Sequence, residues 1–369
     1  MASKVFFAGR RADSGEESLE VKLAQLFDKS RFHDIIKEKE LTAVKLHFGE
    51  RGLTTYLNPV FARVVVDKLK SIGAVPFLTD TNTLYIHGRH NAAVHVETAL
   101  QHGFGYAAVG APVVIADGLK GHSSRDISIN GDYFDFVKIA EAVLDAESMV
   151  VLSHVKMHVV TGLGGAVKNL SMGCSSRAGK HMMHAGVNPA IKEGVCTVCG
   201  LCVEHCPEDA ISLQENKAFI DQDRCMGCGE CIVACSHEAV EIDWSDDSRG
   251  LQEKMAEFAL GAVEDKKDKC CYINFVLDVT PHCDCHTWSD SSIIPDVGIL
   301  ASFDPVAVDQ ASVDLINEQP GISTSKLGKN FSPGEDKFQG VLPECDYTAQ
   351  LRHAEKIGLG QRQYELVKV

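Results

Sequence analysis

The chain has 369 residues, of which 45% are hydrophobic and 24% charged, and its formal net charge at pH 7 is −15. This composition is typical of a globular protein, and the length allows two domains or one large domain with an insertion. The acidic balance argues against nucleic-acid binding, which depends on a basic surface. No apolar run reaches the roughly 18–20 residues that span a bilayer, and the first residues do not form a signal peptide. We therefore expect a cytoplasmic protein without a membrane span.

Strand and helix patterns alternate before residue 190. Strands are predicted at 41–48, 74–78, 113–116 and 148–152, and helices at 59–71, 91–101 and 136–145. Pro59 suits the first turn of its helix, and Gly73 follows as a stop signal. Later in the chain, strands are predicted at 272–277 and 297–300, and a helix begins at Asp304-Pro305 and runs to about Ile316. The alternation predicts an α/β fold with a mostly parallel sheet and flanking helices.

A cysteine-rich segment interrupts this alternation between about residues 191 and 241. Eight of the 14 cysteines of the chain lie there, in two runs with the same spacing, C-x-x-C-x-x-C-x-x-x-C. The first run is Cys196, Cys199, Cys202 and Cys206, and the second is Cys225, Cys228, Cys231 and Cys235. The segment has ten acidic and three basic residues, so its net charge of −7 is nearly half that of the chain.

The spacing is that of bacterial ferredoxins, in which the fourth cysteine of each run ligates the other cluster. It predicts two [4Fe–4S] clusters, one held by Cys196, Cys199, Cys202 and Cys235, and one held by Cys225, Cys228, Cys231 and Cys206. Zinc sites usually use two separated pairs of cysteines, and free core thiols need no regular spacing, so both alternatives fit less well. Short strands predicted at 210–213 and 239–242 complete an α+β ferredoxin-like module.

The simplest organisation is one α/β domain into which this module is inserted. Residues 1–190 then form the first part of the α/β domain, residues 191–241 the ferredoxin module, and residues 242–369 the second part. Three consecutive domains would leave the last segment with only a small core.

Polar residues follow the predicted strand at 148–152 and the glycine-rich turn beyond it. Parallel sheets bind ligands beyond the carboxyl ends of their strands, and Asp80 ends another strand in the same way. We therefore predict a site for a small anionic substrate, with lysine and histidine holding its charge and asparagine fixing its orientation. The candidate catalytic residues are His154, Lys156, Lys168 and Asn169, with His158 beside them. The alternative is that these side chains satisfy backbone groups or face solvent.

The glycine-rich turn at 162–165 does not predict a nucleotide site. Lys168 is followed by Asn169 and the glycine spacing is wrong, so the turn matches neither a Walker A loop nor G-x-G-x-x-G. A helix that begins near Gly165 could still hold an anion at its N-terminus.

A C-x-C pair flanked by histidines lies at 282–286. Cys283 and Cys285 could bind a further metal, anchor a third cluster or act as a redox dithiol, and Cys174 is a candidate third member of the group. The alternative is a pair of inert core thiols. The polar segment at 177–184 is predicted to be a mobile loop, either a lid or a simple exposed loop.

Four motifs lie on the two sides of the cysteine-rich segment: SHVKMH at 153–158, GGAVKNL at 164–170, DVTPHCDC at 278–285 and DVGILASFDPVAVD at 296–309. Together they resemble the motifs of the DUF362 family, a domain of unknown function that often carries a ferredoxin module. The resemblance covers nearly the whole chain. It implies that both flanking parts belong to one domain, and it supplies no reaction.

Three functional hypotheses follow from these motifs. The first is an oxidoreductase whose ferredoxin module takes low-potential electrons from a redox partner protein and passes them to a small anionic substrate or cofactor in the α/β domain. The second is an electron carrier without chemistry of its own, whose acidic module docks to a basic partner. The third is a protein that handles a metal or a cluster through Cys283 and Cys285.

Overall fold

Runs of β-branched and aromatic residues form the strands of this protein, and amphipathic segments between them form the helices. The computed structural model describes residues 2–85, 87–184, 189–192, 194–206, 208–225, 231, 234–237, 239–241 and 248–369. The strands within these ranges are β1 (Ser3–Gly9), β2 (Leu41–Lys45), β3 (Val75–Asp80), β4 (Val113–Ile115), β5 (Ser124–Ser128), β6 (Phe136–Ala140), β7 (Ser148–His154), β8 (Lys156–His158), β9 (Gly162–Gly164), β10 (Ala190–Ile191), β11 (Ile211–Leu213), β12 (Ala218–Ile220), β13 (Val240–Glu241), β14 (Cys270–Val276), β15 (Gly298–Ser302) and β16 (Tyr364–Lys368). The α-helices there are α1 (Leu19–Lys29), α2 (Pro59–Ser71), α3 (Ala92–Gln101), α4 (Tyr106–Val109), α5 (Glu141–Asp145), α6 (Ala166–Cys174), α7 (Arg177–His184), α8 (Leu201–Glu204), α9 (Ser248–Val263), α10 (Pro305–Asn317), α11 (Lys337–Val341) and α12 (Ala349–Lys356).

Eight strands form one central sheet in the order β16-β1-β15-β14-β7-β2-β3-β4. The neighbours pair in parallel except where β15 runs antiparallel to both β1 and β14. The sheet is therefore mixed but mostly parallel, and it is flanked by helices. Strands from both sides of the cysteine-rich segment meet in the centre of the sheet. There β7 pairs with β14, and Met149 lies opposite Cys270.

The core lies on both faces of this sheet. Every residue of β7 is buried, as expected for a central strand covered on both sides. Its side chains alternate between the faces. Met149 and Val151 pack with α6, α9, α10 and α12, whereas Val150 and Leu152 pack with α1, α2 and α3. No helix in the described ranges is both long enough and apolar enough to cross a bilayer.

Local sequence signals placed several elements correctly. Helix α2 begins at Pro59, and its N-terminus is capped by the side chain of Asn58, which accepts a hydrogen bond from the Val60 N–H. Helix α10 begins at Pro305, and the Asp304 carboxylate accepts hydrogen bonds from two N–H groups in its first turn. The first-turn proline of α2 and the start of α10 at Asp304-Pro305 were predicted from the sequence, whereas the Asn58 cap was not.

Two predicted elements are wrong. Residues 136–140 form strand β6, which pairs antiparallel with β5, and only Glu141–Asp145 is helical. The alternating burial of Val137 and Ile139 has the two-residue period of a strand. Residues 177–184 are not a mobile loop or a lid, because they form helix α7, whose Met182 and Met183 are buried in the core.

The cysteine-rich segment has a small core of its own. Strand β10 pairs with β13 and strand β11 with β12, both antiparallel. The hydrophobic side chains of these strands pack with cysteines from both runs. The predicted strands at 210–213 and 239–242 appear as β11 and β13, apart from residue 242, which lies outside the described residues.

Candidate functional site

The carboxyl ends of β2, β3 and β7 meet at one edge of the sheet, because these strands are parallel neighbours. A cavity of about 430 Å³ opens there, in the size range of small-molecule sites. The polar side chains that line it include Lys45, His47, Asp80, Arg89, His154, Lys156, His158, Lys168, Asn169, Lys180, His184, Cys283 and Cys285. The structure thus brings together all four candidate catalytic residues and both cysteines of the C-x-C pair.

A buried carboxylate organises one wall of the cavity. Asp284 lies 3.0 Å from Nδ1 of His154 and 2.9 Å from Nζ of Lys156, and the side chains of all three are at least nine-tenths buried. Burial would raise the pKa of Asp284, but His154 and Lys156 hold it well below its ordinary value. The other ring nitrogen of His154 faces the carbonyl of Leu277 at 2.9 Å. Both nitrogens of His154 are thus engaged with the protein, and its imidazole orients Asp284.

A second charged cluster forms the opposite wall. Nζ of Lys45, a fully buried lysine, lies 3.1 Å from Asp80 and 2.6 Å from Oδ1 of Asn169. Arg89 bridges Asp80 and Glu50 at 3.3 and 3.2 Å. The amide nitrogen of Asn169 donates to the carbonyl of β7 at position 152, at 2.9 Å. Asn169 therefore links α6 to the sheet and orients Lys45.

Two cations in the cavity have no such carboxylate partner. Nζ of Lys168 lies 3.2 Å from Sγ of Cys283, and Nζ of Lys180 donates to the Thr81 hydroxyl and the Ser175 carbonyl at 2.6 and 2.8 Å. Among the described residues, neither ammonium group has a carboxylate oxygen within 4.0 Å. Burial lowers the pKa of Lys180 to about 8. These two groups are the ones that an anionic ligand would neutralise.

The C-x-C pair lies in a turn at the edge of the cavity. The N–H of His286 donates to the carbonyl of Cys283 at 3.0 Å, which closes a β-turn over residues 283–286. Both thiols lie within 4.8 Å of each other and of a ring nitrogen of His158. Cys174 does not join this group, because its thiol, at the end of α6, is buried in the core, 3.9 Å from the carbonyl of Asn169. Burial raises the pKa of Cys174 to about 11.

The N-terminus of α6 does not bind an external anion as the sequence suggested. The carboxylate of Asp309 accepts hydrogen bonds from the N–H groups of Ala166 and Val167 at 2.7 and 2.9 Å. A Cβ at Gly165 would come within 2.3 Å of this carboxylate, so glycine is required there. The anion at this helix terminus is supplied by the chain itself.

The predicted ligands of the first cluster lie together in the cysteine-rich segment. Cys196, Cys199, Cys202 and Cys235 line one small cavity. The thiols at positions 196 and 235 accept backbone hydrogen bonds from Ala218 and Ala239 at 3.4 and 3.3 Å, a contact that tunes the potential of a sulfur-bound iron cluster. The donor set of four thiols around one space suits such a cluster.

The predicted ligands of the second cluster are described only in part. The thiol of Cys206 accepts a hydrogen bond from Ala210 at 3.3 Å. Cys206, Cys225 and Cys231 pack in the same small core. Cys228 lies outside the described residues.

Sequence reasoning did not single out Lys45, Arg89, Lys180 or Asp284. A signal for Lys45 was available, because a lysine within the apolar run at 41–48 is unusual unless it is paired. Asp284 was present in the C-x-C motif, but its role depends on residues about 130 positions earlier in the chain. Lys180 lies in the segment predicted to be a mobile loop, either a lid or an exposed loop, so its burial was not predicted.

A family model described as "Domain of unknown function (DUF362)" matches residues 42–314. Among curated proteins, none matches the sequence. The lactate racemase apoprotein from Thermoanaerobacterium thermosaccharolyticum is a similar solved structure, with 11% identity and a TM-score of 0.38 over 75% of this chain and 51% of that one. A structural-genomics protein from Thermotoga maritima is similar with 9% identity and a TM-score of 0.37, over 92% of this chain and 59% of that one. This chain therefore spans between half and three-fifths of the length of these two proteins.

Proposed function

The chain belongs to the DUF362 family, and because this family has no assigned reaction, we propose a function from the site itself. The protein is an iron–sulfur oxidoreductase that reduces a small anionic molecule bound in the cavity. The single observation that carries this proposal is the pair of ammonium groups, Lys168 and Lys180, which line one cavity without carboxylate partners among the described residues.

The other cations of the cavity are already neutralised. Lys45 is paired with Asp80, and Lys156 with Asp284. A carboxylate or phosphate group on a ligand would therefore be attracted to Lys168 and Lys180, in surroundings where charge-assisted hydrogen bonds are strong. The cavity size limits the ligand to a small molecule.

The cysteine-rich segment supplies the redox part of the proposal. Two [4Fe–4S] clusters would be held by the two sets of four cysteines, and their chemistry is one-electron transfer at low potential. The four thiols around one small cavity and the N–H groups directed at the sulfur atoms support this assignment. Protein purified without oxygen should contain about eight irons and eight sulfides per chain. Cys206→Ser should lose one cluster and retain about four irons, and an unchanged iron content would contradict the assignment.

The anion site is tested by ligand binding rather than by turnover. Oxalate, succinate and inorganic phosphate serve as probes in calorimetric titrations of the wild-type protein. Lys168→Ala should weaken the tightest of these interactions about tenfold or more, because a charge-assisted hydrogen bond is worth about 1.5–3 kcal/mol.

The matched control is Lys267→Ala. Lys267 is about half exposed and precedes the amino end of β14, at the opposite edge of the sheet from the cavity. This variant should bind the probes like the wild type. Equal binding by Lys168→Ala and Lys267→Ala would show that Lys168 is not part of the site. If the wild type binds none of the probes, the proposed anion site is refuted.

The acidic charge of the module favours a second candidate, an electron carrier that docks to a basic partner protein. The net charge of −7 over residues 191–241 provides the electrostatic basis. In that case reduction by a basic ferredoxin reductase should slow steeply with salt, while Lys168→Ala changes neither the rate nor its salt dependence. If Lys168→Ala weakens the binding of the anion, the first candidate function is favoured over this one.

A further inference from the structure

The turn that contains Cys283 and Cys285 holds the two thiols close together. Cys283 and Cys285 are the first and third residues of the β-turn over residues 283–286. Because consecutive Cα atoms are about 3.8 Å apart, two residues so close in the chain can reach the roughly 4.4–6.8 Å Cα separation that a disulfide bridges. Their sulfur atoms lie within 4.8 Å of each other, and neither forms a disulfide here.

The residue between the two cysteines fixes this turn in the cavity wall. Asp284 points inward, where His154 and Lys156 bind its carboxylate. The cysteines on either side of it both line the cavity. The turn therefore presents two adjacent thiols to any molecule held by Lys168, whose Nζ lies 3.2 Å from Sγ of Cys283.

The two thiols differ in pKa and in exposure. The neighbouring thiol of Cys283, together with Lys168 and Arg89, lowers the pKa of Cys285 below its ordinary value. The neighbouring Cys285 and burial raise the pKa of Cys283. Cys285 is also the more accessible of the two, because Cys283 is only 2% exposed. An accessible thiolate beside a buried thiol is the arrangement of an attacking and a resolving cysteine.

A hydrogen-bonded histidine argues against a metal at this position. Nδ1 of His158 accepts hydrogen bonds from the N–H groups of Val160 and Thr161, at 3.3 and 3.1 Å. A neutral imidazole in this arrangement carries its proton on Nε2, so neither nitrogen offers a free lone pair. Burial lowers the pKa of His158 to about 3, which keeps the ring neutral. His158 is thus placed to donate a hydrogen bond to a thiolate or to a ligand.

We propose that Cys283 and Cys285 are a redox-active dithiol whose substrates are small anionic disulfides. The Cys285 thiolate attacks one sulfur of the substrate, forms a mixed disulfide and releases the first thiolate product. Cys283 then loses its proton and attacks Sγ of Cys285, which forms the Cys283–Cys285 disulfide and releases the second product. Two electrons and two protons from a low-potential reductant return this disulfide to the dithiol. This inference rests on the proposed function only for that last, reductive step.

The experiment uses dithiodiglycolate, a small disulfide with two carboxylates. The purified full-length protein is exposed to it without oxygen, free thiols are alkylated with N-ethylmaleimide, and the chain is digested. The segment between Leu277 and Trp288 contains only Cys283 and Cys285, so its mass reports on this pair alone. In the wild type the segment should be recovered with an internal disulfide, lighter by two hydrogens than the dithiol and unalkylated.

Single-cysteine variants test the order of attack. Cys283→Ser should accumulate a thioglycolate adduct on Cys285, because the resolving thiol is missing. Cys285→Ser should form no adduct on Cys283 in the same time. Cys174→Ser, which removes a buried thiol outside the pair, should behave like the wild type. Circular dichroism confirms that each variant is folded, and the wild-type result does not depend on any variant.

Three results would overturn the inference. They are a wild-type segment that stays alkylated at both thiols, an adduct that forms on Cys283 rather than Cys285, and one zinc per chain that both single variants lose. Failure of the proposed function has a different signature. If the disulfide forms as described but dithionite reduces it equally fast in the wild type and in Cys206→Ser, the dithiol is supported and electron delivery by the clusters is refuted.

Discussion

Asp284 holds the cavity wall together, and its replacement by asparagine has a large expected effect. The variant Asp284→Asn keeps the shape of the side chain but removes the charge that lies 2.9 Å from Lys156 and 3.0 Å from His154. Removing one partner of a buried ion pair costs about 3–5 kcal/mol, because the remaining charge stays buried without compensation. The control Asp67→Asn breaks an exposed helical pair with Arg63 at 2.7 Å, and it should cost at most about 0.5 kcal/mol.

Urea unfolding followed by circular dichroism measures both variants. The pKa of Asp284 is depressed in the folded state. A carboxyl group of this kind contributes its full stability above its unfolded pKa of about 3.9 and loses it as the pH falls through the folded pKa. The difference between wild type and Asp284→Asn should therefore be constant from about pH 5 to 8 and shrink in stronger acid. If Asp284→Asn costs no more than Asp67→Asn, the ion cluster does not stabilise the turn.

Two further predictions concern the remaining buried charges. Lys180, whose pKa burial lowers to about 8, is charged below that pH and neutral above it, so oxalate affinity should fall between about pH 7 and 9. Calorimetric titrations should show no such fall in Lys180→Arg, and an equal fall there would contradict this role. Asp309→Ala leaves the N–H groups of Ala166 and Val167 without their acceptor, and it should lower the stability of the protein to thermal unfolding by about 2–4 kcal/mol. The matched cap variant Asp336→Ala, at the shorter and less buried helix α11, should cost about 1 kcal/mol, and equal losses would show that burial of the cap at α6 has no effect.

Elements that depend on neighbouring residues were predictable from the sequence. The bounds of α2 follow from Pro59 and Gly73, and the start of α10 follows from Asp304 and Pro305, all within a few positions of the helix ends. Strand β7 was predicted because four consecutive apolar residues, 149–152, form its centre. The approach of His154, Lys156 and Lys168 to one cavity followed from the rule that parallel strands share a carboxyl edge.

Features set by distant contacts were not predictable in the same way. Residues 136–140 were predicted to be helical from the sequence of 136–145 alone. In the fold they form a strand, because they pair with β5. Helix α7 was read as a loop because its lysine and histidines are polar, although Lys180 and His181 are buried by the rest of the fold. The acceptor for the N-terminus of α6 is Asp309, about 143 positions later in the chain.

The cysteine-rich segment lies in the connection between two neighbouring strands of the sheet, where extra residues cost little stability. The chain between β7 and β14 covers residues 155–269, and the predicted module forms nearly half of it. Because the cost of closing a loop grows only as the logarithm of its length, doubling this connection costs about 0.6 kcal/mol. Removing Asp284 from the ion pairs that it makes across the same connection costs several times as much. An insertion at this position would therefore leave the sheet intact. The cavity is lined by residues from the two parts of the chain that border the cysteine-rich segment.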